Sequence, residues 1–117
     1  MPPPTHFEVA ISSVERLVKE EQSYHREIQQ QTDKIKKLET EKSEDENREY
    51  LLKQERLALE ETKKVLPTLK HKIDEAVAKL EKALEEEGKR GSESNVKHIT
   101  AAKEAIAKAK TAKREIA

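Results

Sequence analysis

Leu59-Glu60-Glu61-Thr62-Lys63-Lys64-Val65-Leu66-Pro67-Thr68-Leu69 decides the fold of this 117-residue chain. The stretch has the alternating charge of a solvated helix, yet it carries a proline where a helix interior tolerates none. Pro67 has no backbone N–H, so the Lys63 carbonyl loses its helical partner, at a cost of roughly 3 kcal/mol. Leu66 before it is also biased away from helical dihedrals. Either a helix ends here or one helix bends through. The apolar phase on the two sides separates these cases. A seam of Leu52, Glu55, Leu59, Thr62, Leu66, Leu69, Ile73, Ala76, Leu80 and Ala83 alternates spacings of three and four, and it crosses Pro67 without gaining or losing a residue. A loop would reset that phase. The pattern therefore predicts one helix over about 46–87, kinked at Pro67, with tertiary packing offsetting the local cost. Leu51, Ala58, Val65, Val77 and Leu84 flank the seam.

Upstream, Thr5-His6-Phe7-Glu8 has the form of a capping box, with a hydroxyl at the N-cap and a carboxylate three residues on. Val14, Leu17, Glu21, Tyr24, Ile28, Gln31, Ile35 and Leu38 follow as a second coiled-coil-like stripe, widened near its start by Phe7, Ile11 and Val18. A first helix over about 6–41 is expected. Ser43-Glu44-Asp45-Glu46 reads as the capping box of the next helix, and the short polar link turns that helix back along the first. Downstream, both glycines fall in Gly88-Lys89-Arg90-Gly91-Ser92, a linker over 88–94. Ser92 or Ser94 is the expected cap of a last helix over about 95–116, with an alanine-rich stripe of Val96, Ile99, Ala102, Ile106, Ala109 and Ile116. Alanines bury little area, so this helix is expected to be the weakest.

The expectation is a single all-α domain: an elongated, antiparallel, up-down-up three-helix bundle with a shorter third helix. Pairing residue i with about 87 − i sets Gln31 level with Glu55 and Tyr24 near Thr62, and leaves 22–41 and 46–65 as a two-helix arm. Composition agrees with long helices, since 41% of residues are charged, 33% hydrophobic and only 3% aromatic.

Charge excludes little by itself, because basic and acidic residues number 24 each. Its distribution is uneven: residues 1–87 carry 16 basic and 21 acidic groups, residues 88–117 carry 8 and 3. Lys103, Lys108, Lys110, Lys113 and Arg114 make the last helix basic, but no aromatics interleave for base stacking, so no nucleic-acid partner is expected. No apolar run approaches membrane-spanning length, and Met1-Pro2-Pro3-Pro4 lacks the character of a signal peptide. There is no cysteine. These features point to a cytoplasmic protein without a membrane partner.

Catalytic chemistry finds no foothold in the pattern. His6, His25, His71 and His98 form no HExxH motif or His–His pair at helical spacing, so each is expected at the surface or a helix edge and no metal site is expected. The glycines match no phosphate-binding pattern. Carboxylates alternate with lysines on solvated faces, and a thin rod offers no substrate pocket. The chain reads as a non-enzyme, without cofactors, that binds another protein through a helical surface.

Arg16-Leu17-Val18-Lys19-Glu20-Glu21 with Tyr24, then Leu52-Lys53-Gln54-Glu55, then the Leu59–Leu69 block resemble the tubulin-folding cofactor A (tubulin-specific chaperone A) family over roughly 8–86. The resemblance implies a small cytosolic, cytoskeleton-associated three-helix bundle that holds quasi-native β-tubulin released from the chaperonin, before later tubulin-folding cofactors join it to α-tubulin. It implies no nucleotide, metal or catalytic step. A monomer or weak homodimer is expected. Family-matching positions off the seam are the candidate partner contacts: Arg16, Lys19, Glu20, Lys53, Gln54, Glu61 and Lys64. Pro67 joins them chiefly through shape. The alternative to this reading is a coiled-coil adaptor or oligomerisation module unrelated to tubulin.

Overall fold

The computed structural model describes residues 3–41, 46–91 and 95–116. They form three helices, α1 (His6–Thr40), α2 (Asn47–Gly88) and α3 (Val96–Ile116), and no strand occurs among them. The chain is an all-α three-helix bundle, with α3 the shortest at 21 residues against 35 and 42.

Each helix end shows how its free backbone groups are met. Extended Thr5 caps α1, its hydroxyl accepting the Glu8 N–H at 3.1 Å. The Glu8 carboxylate does not complete the capping box; it faces His98 Nε2 of α3 at 3.6 Å. The last carbonyls of a helix have no partner within it. Here the Arg48 guanidinium, from the first turn of α2, donates to the carbonyls of Leu38 and Glu39 at 2.7 Å each. The expected capping box at Ser43–Glu46 falls mostly on residues outside the described ones. Its last member, Glu46, is the N-cap and makes no side-chain capping bond. At the far end α2 runs to Gly88, and Gly91 (φ 63°) takes the left-handed backbone that reverses the chain. Ser92 and Ser94 lie outside the described residues; the cap of α3 is Asn95, whose Oδ1 accepts the His98 N–H at 3.2 Å.

α2 passes through Pro67 as one 42-residue helix. Every seam position of α1 and α2 is buried or half-buried, from Val14 to Leu38 and from Leu52 to Ala83. The flanking residues divide. Val77 and Leu84 pack with the α3 alanines in the core cluster, whereas Leu51 and Val65 stay exposed where α2 has only α1 beside it. On α3 the buried stripe is Ala102, Ala105, Ala109 and Ala112. The expected stripe placed Val96, Ile99, Ile106 and Ile116 in the same row. Val96 is in fact exposed and the isoleucines are only half-buried, because small alanines let the α3 backbone approach closely while the branched side chains straddle the contact.

Cross-helix contacts set the course of the chain. Lys34 meets Glu55 at 2.8 Å and Glu39 meets Arg56 at 2.9 Å, while His6, Val9, Ala10 and Ser13 share a hollow with Lys72, Glu75, Ala76 and Lys79. α2 therefore returns alongside α1. α3 follows α1 in the same sense, with His98 near Glu8 and Glu115 near His25, and Lys113 pairs with Asp74 of α2. Two expected cross-seam partners differ. Glu55 neutralises its charge on Lys34 instead of sharing a layer with Gln31, and the Thr62 hydroxyl donates to the Ala58 carbonyl of its own helix at 2.9 Å rather than serving Tyr24.

The core cluster lies in the three-helix half, around Val14, Leu69, Ile73, Leu80, Ala102 and Ala109. Beyond the last turn of α3, α1 and α2 continue as a pair. The molecule measures 71 × 30 × 18 Å.

Candidate partner-binding surface

All eight candidate contacts, Arg16, Lys19, Glu20, Lys53, Gln54, Glu61, Lys64 and Pro67, are exposed. Their off-seam phase makes this so, because a residue out of register with a buried 4,3 stripe points away from the neighbouring helix. They fall into separate groups. Arg16, Lys19 and Glu20 lie on α1 in the three-helix half, where Lys19 lines a shallow hollow with Glu15, Gln22, Ala105 and Lys108. Lys53, Gln54, Glu61 and Lys64 lie on the arm part of α2. Glu20 and Pro67 are at about the same level, given the pairing of Ala10 with Ala76 and of Lys34 with Glu55.

On α2, helical geometry gathers three of the candidates and separates two. Gln54, Glu61 and Lys64 follow one another at seven and three residues, so they share a stripe. Lys53 and Pro67 are fourteen residues apart and share a different stripe, rotated from the first.

The Gln54 stripe contains two residues that the seam-based reading passed over. Tyr50 is 63% exposed and Leu57 51% exposed. Together they give Tyr50, Gln54, Leu57, Glu61 and Lys64, a 4,3 pattern facing away from α1. The signal was present in the sequence: two apolar residues seven apart and out of phase with the seam. It was masked because the same helix already had a complete apolar stripe. Scattered exposed apolar residues are ordinary, but these two lie on one stripe among charged neighbours and form a small exposed apolar strip.

The histidines lie at the surface (His6, His71) or at half-buried helix edges (His25, His98), as expected. His71 is exposed and pairs with Glu75 at 2.9 Å, four residues on. His98 is half-buried, edge-on to the Phe7 ring at 6.3 Å. His25 is half-buried between Glu21 and Glu115. At the opposite end of the bundle, the buried Glu87 carboxylate accepts the Asn95 N–H at 2.9 Å and faces Arg90 at 3.2 Å. The Asn95 hydrogen bond holds its carboxyl below the usual carboxylate range, against the opposing effect of burial and with help from Arg90. This carboxylate ties the end of α2 to the start of α3. It shapes the bundle.

No helix among the described residues is long and apolar enough to cross a membrane. The surface that remains is a charged rod with a short apolar strip, suited to holding a protein partner. Comparison with known proteins agrees with that description. The chain is 38% identical over 81 residues to the tubulin-specific chaperone A of Saccharomyces cerevisiae, an alignment covering 69% of this chain and 74% of the yeast protein. No solved structure matches. The family profile of tubulin binding cofactor A matches residues 2–106, which spans all of α1 and α2 and half of α3, and the chain belongs to that family.

Proposed function

We propose that this protein is a tubulin-folding chaperone that binds and holds quasi-native β-tubulin on its way to the tubulin heterodimer. Membership of the tubulin binding cofactor A family carries this reading, supported by the yeast relative whose name describes a tubulin-specific chaperone. The protein acts by binding and not by catalysis. Its place of action is the cytoplasm, beside the microtubule cytoskeleton, and its product passes to later tubulin-folding cofactors.

The binding surface is the outer face of the α2 arm. Tyr50 and Leu57 supply a small apolar contact, with Gln54, Glu61 and Lys64 between and beside them for polar recognition. Lys53 and Pro67 border this face, and Arg16, Lys19 and Glu20 extend the contact along α1. A strip of this kind suits reversible capture, in which a mostly polar interface releases its cargo. A weak homodimer through the arm is compatible with the role and would appear as concentration-dependent sedimentation.

Native electrophoresis of the purified chain with newly folded β-tubulin tests the function. A complex with β- but not α-tubulin is the expected result, and no complex under permissive conditions overturns it. Charge reversal at Glu61 and Lys64 together should weaken capture by about tenfold while leaving helicity unchanged. Undiminished capture removes these two residues from the interface.

A further inference from the structure

The junction where α3 ends holds a cluster outside the proposed tubulin-binding surface. Glu21 and His25 are four residues apart on α1, and Glu115 reaches them from the last turn of α3. Glu21 is only 1% exposed, one of the few polar side chains in the interior. One ligand atom from each of the three residues lies within 4.8 Å of the others, and His25 Nε2 is 3.9 Å from Glu115 Oε2. Glu21 Oε1 is set against His25 Nε2, yet neither atom has a hydrogen-bond partner and both are shielded from solvent. A buried carboxylate oxygen and a buried imidazole nitrogen with no hydrogen bond to occupy them are donor atoms open to a cation.

We propose that Glu21, His25 and Glu115 form a site for a divalent transition-metal ion of the zinc class, which ties the last turn of α3 to α1. One imidazole and two carboxylates form a three-ligand set of the kind zinc takes, leaving a fourth position for solvent. Magnesium and calcium are a poorer match, since both prefer shells made of oxygen. Donors around tetrahedral zinc stand about 3.3 Å apart. Reaching that spacing takes side-chain rotation at Glu115, 55% exposed, and at half-buried His25, which must draw back from Glu21. A hollow lined by Gln22, Lys108 and Thr111 adjoins Glu21 and Glu115, giving the ion a way in. The site also stands where the fold needs it. α3 buries four alanines and so gains little from apolar contact, and its end is held by few large side chains. A metal there would fix the point at which the rod passes from three helices to two.

The test uses the full chain, stripped with a chelator and titrated with zinc chloride in a non-coordinating buffer by calorimetry, with thermal melts in parallel. One ion bound per chain and a raised Tm are expected, with magnesium chloride giving no shift. His25→Ala and Glu115→Gln should each weaken zinc binding by about tenfold or more. His71→Ala, which removes the exposed pair with Glu75 at the same helical spacing, should leave binding unchanged. If His25→Ala lowers helicity, Glu115→Gln decides, because its side chain is largely in solvent. No saturable zinc binding, affinity unchanged in Glu115→Gln, or an equal loss in His71→Ala would overturn the site. Tubulin capture is not among the readouts, so this test stands or falls apart from the chaperone reading.

Discussion

Arg48 and Glu87 join the helices at opposite ends of the molecule, each through backbone groups that a helix leaves open. Arg48 places two N–H donors 2.7 Å from the Leu38 and Glu39 carbonyls, closing the end of α1 with a side chain from α2. Charged donors make stronger bonds than neutral ones, and the site is only half-buried, so Arg48→Ala should lower stability by about 1–2 kcal/mol. Arg48→Lys should recover part of this, since it keeps the charge but loses the fork. Urea unfolding followed by circular dichroism measures both. Glu87 serves the other end through the Asn95 N–H, and its folded carboxyl titrates below its ordinary value of 4.5. A depressed carboxylate contributes stability that is full above the unfolded value and is lost as pH falls through the folded one. Glu87→Gln should therefore melt below the parent at neutral pH, and the gap should close on acidification below the usual carboxylate range. A gap that stays constant with pH would remove the charge from the account.

At the scale of the element, Pro67 is the residue whose effect reaches furthest. α2 accommodates it without ending, because Leu66 and Leu69 on either side pack in the core cluster and hold the phase. The Lys63 carbonyl still loses the donor that proline cannot supply. Pro67→Ala restores that donor and should stabilise the protein by about 1–3 kcal/mol in urea unfolding, provided the helix straightens without disturbing the seam. We propose that the proline bends α2; a fall in tubulin capture by this more stable variant would show that the partner reads the curvature. Unchanged capture would leave Pro67 with a role in the bundle alone. The helix caps were less legible than the helices. Thr5 was readable because its hydroxyl and Glu8 sit in a local pattern. Asn95 was overlooked in favour of the serines beside it, since several residues in that stretch have capping side chains and only the position of Glu87 selects among them.

For the whole molecule, thickness varies because α3 is about half as long as α2. The radius of gyration is 20.2 Å, whereas a compact chain of this length would have about 13 Å. Small-angle scattering should return a value near the larger figure, with a distance distribution extending past 70 Å in keeping with the 71 Å long axis. A value near the smaller figure would mean that the arm folds back. The arm also explains why the candidate surface was only partly legible. Arg16, Lys19, Glu20, Lys53, Gln54, Glu61, Lys64 and Pro67 could each be placed off the seam from phase alone. That Tyr50 and Leu57 complete a stripe with three of them, at a level α3 does not reach, depends on where α3 ends.

The sequence by itself determined the three helices, the seams of α1 and α2 and the continuity of α2, because a 3,4 apolar period is a local property that survives without knowledge of neighbours. It also carried the family resemblance, in the blocks around Arg16, Leu52 and Leu59. Only the tertiary structure decided which residues beyond Thr5 serve the helix ends, which alanines of α3 turn inward, and which groups meet at the junction. Arg48 with Leu38, Glu87 with Asn95, and Glu21 and His25 with Glu115 unite different helices or distant turns. Such meetings depend on register and on the end of a neighbouring helix, and neither is written in the periodicity of a single helix.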